Sequence, residues 1–283
     1  MNCLEFVGGY AIEQEDRASL AASSVPAVYA SAGDIPERVD PRRSKLATDG
    51  WLRTENQGSI GSCQGNALSE NVEYCYSIAT GEIVQLSRMY AYLRSQQFDN
   101  IRTDSGSTLS GGTKAVKEGL CLESLAPYPR AYPGWGWLTQ AMRDEAKYRL
   151  NSLVQIKSSD EVRSFVGSGI GIVQIGIAWN SSMTPDSRGC ITSWRSGGGG
   201  HSVCFAGYVP DADVGVRSSK GWWALLKNSW GTSWGVQGWA YVDPKAIDQM
   251  LTHQWTVMYG RSDMEHPNPR PVPIDFTKRS LFG

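Results

Sequence analysis

The sequence predicts an α+β protein in two lobes, with helices in its first half and strands in its second. Apolar residues recur at three- and four-residue steps before about residue 120, whereas short apolar, strand-like runs dominate after about residue 170. Between them Pro127, Pro129, Pro133 and Gly134, with Trp135 and Trp137, form a rigid aromatic connection that suits a boundary between lobes. A helical lobe near 50–130 and a β-rich lobe near 140–260 must then meet to share a core.

Residues 1–35 are rich in Ala and Ser with only short apolar stretches, and read as an N-terminal arm. From Ile35 to Arg42 the chain is extended, because Pro36 and Pro41 disfavour helix before them. Ala67, Leu68, Val72, Cys75 and Ala79 then repeat with helical period from Cys63 to Ala79, and Gly81 supplies the stop. A second helix is predicted over Ser87–Gln96 and a third over Thr108–Glu118, ending at Gly119; a short one follows near Ser159–Val166. The predicted strands are Ile170–Ala178, Val203–Val209, Trp222–Lys227, Trp239–Val242 and Gln254–Tyr259. Residues 261–283, with Pro267, Pro269, Pro271 and Pro273, read as an extended tail, so the folded domain is placed at 36–260.

A chain of 283 residues can bury a sizeable core. Its 27 basic and 28 acidic residues nearly cancel, so no basic field exists to hold a nucleic acid. The N-terminus lacks the basic and apolar regions of a secretory signal, and no apolar run is long enough to span a bilayer. A protein made in the cytoplasm, with neither nucleic acid nor membrane as partner, is expected. The six cysteines are scattered without paired spacing, which argues against zinc and against a dense disulfide framework. Cys75 on an apolar helix face and Cys204 in a strand read as small core residues.

Cys63 is different. Gly58, Ser59, Gly61 and Ser62 lead into it, and it opens a helix whose free N–H groups and positive dipole end favour a thiolate. Its pKa is therefore expected below that of an ordinary thiol. Gln57, six residues earlier, can donate an amide hydrogen to an oxyanion, with the Cys63 backbone N–H as second donor. His201 stands where the run Gly197–Gly200 meets a strand, a good place to present an imidazole into a cleft. Asn228 ends the buried strand Trp222–Lys227; its amide oxygen can fix the tautomer of that imidazole, while the Trp230 indole keeps water off the bond. His253 and His266 have no such setting and read as surface or packing residues.

These segments resemble the papain family of cysteine peptidases, which carries Gln-Gly-Ser-x-Gly-Ser-Cys, a His before a short strand, and Lys-Asn-Ser-Trp-Gly-x-x-Trp-Gly in this order. The likeness runs from about Ile35 to Gly260, and the looser form of the motifs looks closest to bacterial and bacteriophage members. It departs at Gln64, where the family usually has an aromatic, and at Ile60, where a second cysteine is common. Cys63 to His201 fits the ~130–150-residue window of papain-like sequences. Asn228 lies beyond it, and a longer loop from Pro210 to Gly221 is assigned the excess.

The resemblance implies a two-lobed papain-like fold and a cysteine endopeptidase that cuts peptide or protein substrates through a thioester, without metal or cofactor. Cys63, His201 and Asn228 would be catalytic, Gln57 and the Cys63 amide would form the oxyanion hole, and Trp230 would support them. Gly106 and Gly200 would bind substrate; Gly111-Gly112 also resembles the family's glycine pair, but spacing to Gly119 favours Ser105-Gly106. Other readings are a cell-wall peptide hydrolase, an acyl transferase, or an idle structural component of a virion. The terminal arms would dock into such an assembly. The short arm would be no full inhibitory prodomain, leaving activity to be restrained by assembly or location.

Overall fold

The computed structural model describes Tyr10, residues 35–44 and residues 52–265. The rest of the N-terminal arm and the tail from residue 266, including its four prolines, lie outside the described residues.

Helix α1 (Cys63–Thr80) ends where Gly81 takes φ 72° and returns its N–H to the Ser77 carbonyl. It is buried on almost every side, so its polar residues need internal partners. Asn66 Nδ2 donates to the Ser62 carbonyl, Asn71 Nδ2 to the Ala67 carbonyl, and the Glu73 carboxylate accepts from Leu86 N–H. Glu70 forms an ion pair with Lys227 of the sheet. Helix α2 (Arg88–Asp99) is capped by the Ser87 hydroxyl and stops at Asn100, in the left-handed region at φ 56°. Helix α3 (Leu109–Glu118) is capped by Thr108, which the Asp99 carboxylate holds at both its N–H and its hydroxyl.

After the aromatic connection and a short helix α4 (Gln140–Asp144), the chain builds a seven-stranded sheet. Its strands are β1 (Arg149–Gln155), β2 (Val173–Trp179), β3 (Cys190–Ile191), β4 (Gly199–Pro210), β5 (Trp222–Lys227), β6 (Trp239–Val242) and β7 (Val257–Glu265). The spatial order is β1-β7-β2-β4-β5-β6-β3, antiparallel throughout except where β3 meets β6. Alternation along the strands separates two cores. Cys204, Ala206 and Leu225 share a core with Leu68 and Val72 of α1 and Tyr90 of α2. Val203, Phe205 and Leu226 face the other side, where α5 (Ser159–Gly167) and α7 (Pro244–Leu251) supply Phe165 and Ile247. This is the α+β arrangement expected.

Some elements differ from the sequence reading. Strand β1, Arg-Leu-Asn-Ser-Leu-Val-Gln, was not expected; it is an outer strand whose only partner among the described residues is β7, so polar residues survive in it. Strand β7 continues to Glu265, past the expected end of the domain, because β1 pairs with it along its length. The Pro210–Gly221 loop holds a helical turn, α6 (Asp211–Val214), closed by Gly215 at φ 72°. Cys63, Cys75, Cys121, Cys190 and Cys204 are all free, buried thiols.

Candidate active site

One pairing joins the segments that carry the chemistry. Asn56 forms an antiparallel bridge with Trp230, Gln57 N–H donates to the Ser229 carbonyl at 2.9 Å, and Gly231 N–H donates to the Glu55 carbonyl at 2.8 Å. The loop before α1 is thereby laced to the loop after β5, and Gln57 and Asn228 are positioned together.

On the helical side Cys63 is the first residue of α1, with Ser62 as cap. The Ser202 N–H lies 3.3 Å from the Cys63 sulfur, and the N–H groups of Cys63 and Gln64 also act on it. Gln57 is fixed at both ends of its amide: Nε2 donates to the Ile60 carbonyl at 2.9 Å, and Oε1 accepts from the Ser229 hydroxyl at 2.7 Å. One Nε2 hydrogen remains for a ligand, as an oxyanion donor needs. Gln64 is buried, and its Oε1 accepts from the Ser107 hydroxyl at 2.9 Å.

On the sheet side His201 is near the start of β4, opposite Ile177 of β2. Its Nε2 lies 2.8 Å from Asn228 Oδ1, which also accepts from Ser229 N–H. Trp230 lies over the imidazole with ring centres 4.6 Å apart at 32°, and Trp179 meets it edge-on at 4.7 Å. Trp179 from β2 and Trp230 from the loop after β5 wall the histidine–asparagine bond from water.

Both titrating groups are fully buried, and burial decides their charge. It pushes the Cys63 thiol up to about 12, against the pull of the three N–H groups. It lowers His201 to about 4, against the bond to Asn228. In this arrangement the pair is a thiol and a neutral imidazole, so the expected depression of the thiol pKa does not hold here. The physical reason is burial, and Cys63 shares its buried cluster with Tyr10. Tyr10 is only 3% exposed and packs with Cys63, Leu109, Leu153, Val257 and Tyr259. Its N–H donates to the Gly200 carbonyl at 3.4 Å, and it forms a parallel bridge with Ser107.

The expected substrate-binding glycines are thus placed as follows. Gly200 offers its carbonyl to an incoming N–H. Gly106 does not: its N–H donates to the Tyr92 hydroxyl and its carbonyl accepts from Gln96 Nε2, so both groups are taken internally. The residue that bridges Tyr10 on the helical side is the next one, Ser107. Gly111 and Gly112 lie inside α3, where a Cβ on Gly112 would fall 1.8 Å from Gln64 Nε2, so they serve packing. Sequence reasoning named Gln64 only as a departure and missed Tyr10, Ser107, Trp179, Ser202 and Ser229. Ser202 and Ser229 follow His201 and Asn228 directly, and that adjacency was the available signal; nothing in the sequence marked Tyr10. Among the described residues no cluster of His, Cys, Asp or Glu could hold a metal ion, and no helix is long and apolar enough to cross a membrane.

A family model described as papain family cysteine protease matches residues 35–257. The chain is 27% identical over 235 residues to cathepsin F of Drosophila melanogaster, covering 80% of this chain and 36% of that protein. It is 27% identical to an uncharacterized peptidase C1-like protein of Acanthamoeba polyphaga mimivirus, covering 74% of this chain and 70% of the other. Its fold is similar to that of xylellain, a cysteine protease from Xylella fastidiosa, with a TM-score of 0.70 at 18% identity over 91% of this chain and 96% of that one. The chain therefore spans about a third of the cathepsin F it matches.

Proposed function

Because this chain belongs to the papain family of cysteine proteases, we propose that it is a cysteine endopeptidase with Cys63 as nucleophile, His201 as acid and base, and Asn228 orienting His201. The observation that carries this reading is the convergence of three distant segments: Ser202 N–H on the Cys63 sulfur, and the imidazole beside it bonded to Asn228.

His201 takes the proton of the Cys63 thiol, and the thiolate attacks the carbonyl carbon of a peptide bond. The oxyanion receives hydrogen bonds from Gln57 Nε2 and Cys63 N–H. His201 returns the proton to the leaving amine, and a thioester remains. Water, deprotonated by His201, attacks the thioester; the acid product leaves and the thiol is restored. Trp230 and Trp179 keep water from competing for the bond between His201 and Asn228. Tyr10 must leave before a substrate can enter, so the structure is read as a resting, closed form. The N-terminal segment therefore contributes to restraint through Tyr10.

Labelling with an epoxide or vinyl-sulfone peptide inhibitor, followed by mass mapping, tests the assignment. Modification confined to Cys63, and lost in Cys63→Ser, is expected. Peptide hydrolysis that persists in Cys63→Ser would overturn it.

A virion setting, with kinship to bacteriophage members and docking through the terminal arms, is proposed on the proline-bearing tail and on the likeness to a mimivirus protein. Deleting residues 264–283 should then spare hydrolysis of a small peptide and reduce co-assembly. Unchanged assembly removes this reading.

A further inference from the structure

We infer that Gln174, turned by Arg261, is a positioning residue for the nucleophile: it holds Ser202 so that the Ser202 N–H stays on the Cys63 sulfur. The inference rests on the peptidase reading and goes further, to a residue set behind the reacting atoms.

Three polar side chains lie on the face of the sheet that meets the helices: Gln174 in β2, Ser202 in β4 and Arg261 in β7, each no more than 1% exposed. Arg261 Nε donates to Gln174 Oε1 at 3.1 Å, and Gln174 Nε2 donates to Ser202 Oγ at 3.1 Å. The Ser202 N–H then reaches the Cys63 sulfur at 3.3 Å. Gln174 Nε2 also lies 3.5 Å from the carbonyl of Gln64, the residue after the nucleophile. Gln174 thus touches both walls beside the sulfur. A guanidinium can only donate, so Arg261 fixes which end of the Gln174 amide is oxygen and leaves the NH2 end for Ser202. Arg261 is itself anchored on α3, where Nη2 donates to the Thr113 hydroxyl at 2.9 Å and to the Leu109 carbonyl at 3.5 Å.

Stability does not account for this chain of bonds. A buried amide and a buried guanidinium both give up water, and apolar residues of similar size commonly fill an interior as well or better. The neighbours of Gln174 in β2, Val173 and Ile175, are apolar and buried. What the chain of bonds holds is one peptide group. Strand β4 pairs with β5 only from Cys204 onward, so among the described residues the edge of β4 that turns to Cys63 has no partner strand at Ser202. Strand β2 holds the other edge, opposite Gly176. The tie from Ser202 Oγ to Gln174 keeps the residue from rotating about that one neighbour. An N–H aimed at sulfur strengthens as the sulfur becomes a thiolate, so its aim matters most when charge develops. Burial pushes the Cys63 thiol up to about 12 while the Ser202 N–H pulls it down. A donor that drifted would leave the thiolate less favoured.

The test compares Gln174→Leu, Ser202→Ala and the double variant in hydrolysis of a fluorogenic peptide. Active sites are counted by titration with an epoxide peptide inhibitor, so that kcat refers to competent enzyme and not to the folded fraction. Each single variant should lower kcat about tenfold with KM changed by less than about twofold, and the double variant should fall no further, because both singles cut the same tie. Arg261→Met, which lets the amide turn, should give a similar fall in kcat. Losses that multiply in the double variant, a rise in KM at constant kcat, or wild-type kcat in Gln174→Leu or Arg261→Met overturns the inference and leaves the peptidase reading standing. No hydrolysis of any peptide by the wild type overturns both. Should Gln174→Leu fail to fold, Ser202→Ala decides, since it removes only a hydroxyl, and an unaltered kcat there overturns the inference.

Discussion

On the helical side of the cleft, Cys63 and Gln57 are held by hydrogen bonds from backbone and short polar side chains, with N–H groups aimed at the sulfur. On the sheet side, His201 is held by a bond to Asn228, by Trp230 lying over its ring and by Trp179 meeting it edge-on. The first wall is built to receive negative charge; the second is built to exclude water and keep a ring in one orientation. With Tyr10 between them, neither wall carries charge, since burial outweighs every local donor. The contrast teaches that burial sets the charge state of this pair, and that the two walls should fail differently when altered.

The largest effect should come from the proposed nucleophile. Cys63→Ser should lower hydrolysis of a peptide substrate by at least about 10³-fold, with a melting temperature close to that of the wild type, since serine is near in size. His201→Ala should cost about 10²–10⁴-fold, the range for a positioned acid and base. A wild-type rate in either variant, measured as kcat/KM, would break the assignment of roles to the two walls.

Stability distinguishes the walls next. Lys227 and Glu70 form a buried ion pair that joins β5 to α1, the elements that deliver Asn228 and Cys63. Burial outweighs the lysine and raises the Glu70 carboxyl. Removing one partner leaves the other charge buried, so Glu70→Leu should destabilise the protein by about 3–5 kcal/mol in urea unfolding. The double variant Glu70→Leu/Lys227→Met should recover much of that loss. If the single and double variants are equally destabilised, the two lobes are held by packing rather than by this pair.

Acid should open the comparison from the sheet side. His201 is lowered from 6.5 to about 4, chiefly by burial, so the unfolded chain binds its proton first. The contribution of neutral His201 to stability is complete above about pH 6.5 and is lost as pH falls through about 4. At 1.36 kcal/mol per unit the loss amounts to at most about 3 kcal/mol. Cys63 acts at the other end: its contribution is complete below 9.0 and is lost as pH rises through about 12. Melting temperature against pH should therefore fall on both limbs, and His201→Gln should flatten the acid one. An acid limb unchanged by His201→Gln would show that other groups carry it.

Much of this was legible in the sequence. Trp222–Lys227 and Trp239–Val242 are strands with the expected bounds, because each is a short apolar run between turn residues. Cys63, His201 and Asn228 stood out because glycine-rich or strand-ending segments deliver them, and such segments are unusual around core residues. Helix α7 was missed although Asp243 caps it and Pro244 opens it, a start signal present in the sequence. Tyr10 and Trp179 were beyond reach for another reason. Their roles depend on contacts with residues far along the chain, at Gly176 and Gly200 for one and His201 for the other, and no local pattern encodes such partners.

The smallest expected effect tests whether the helical wall also positions substrate. Gln64 takes the place where an aromatic is usual, and it is fully enclosed: Oε1 accepts from the Ser107 hydroxyl, while Nε2 lies against Gly112 without a hydrogen-bond partner. Ser107 is the residue whose backbone bridges Tyr10, so the Gln64 amide fixes the edge on which an extended peptide would lie. Ser107→Ala removes that bond and leaves a buried carbonyl oxygen without its donor, a loss of about 1–3 kcal/mol in stability. Only part of it should reach catalysis, because Ser107 is not among the groups that move protons or hold the oxyanion. KM should rise several-fold with kcat nearly unchanged, and Ser107→Thr, which keeps the hydroxyl, should restore KM. A fall in kcat at constant KM would instead place Ser107 in the chemical step. Equal behaviour of the Ala and Thr variants would mean that bulk at this position, rather than its bond to Gln64, sets the edge.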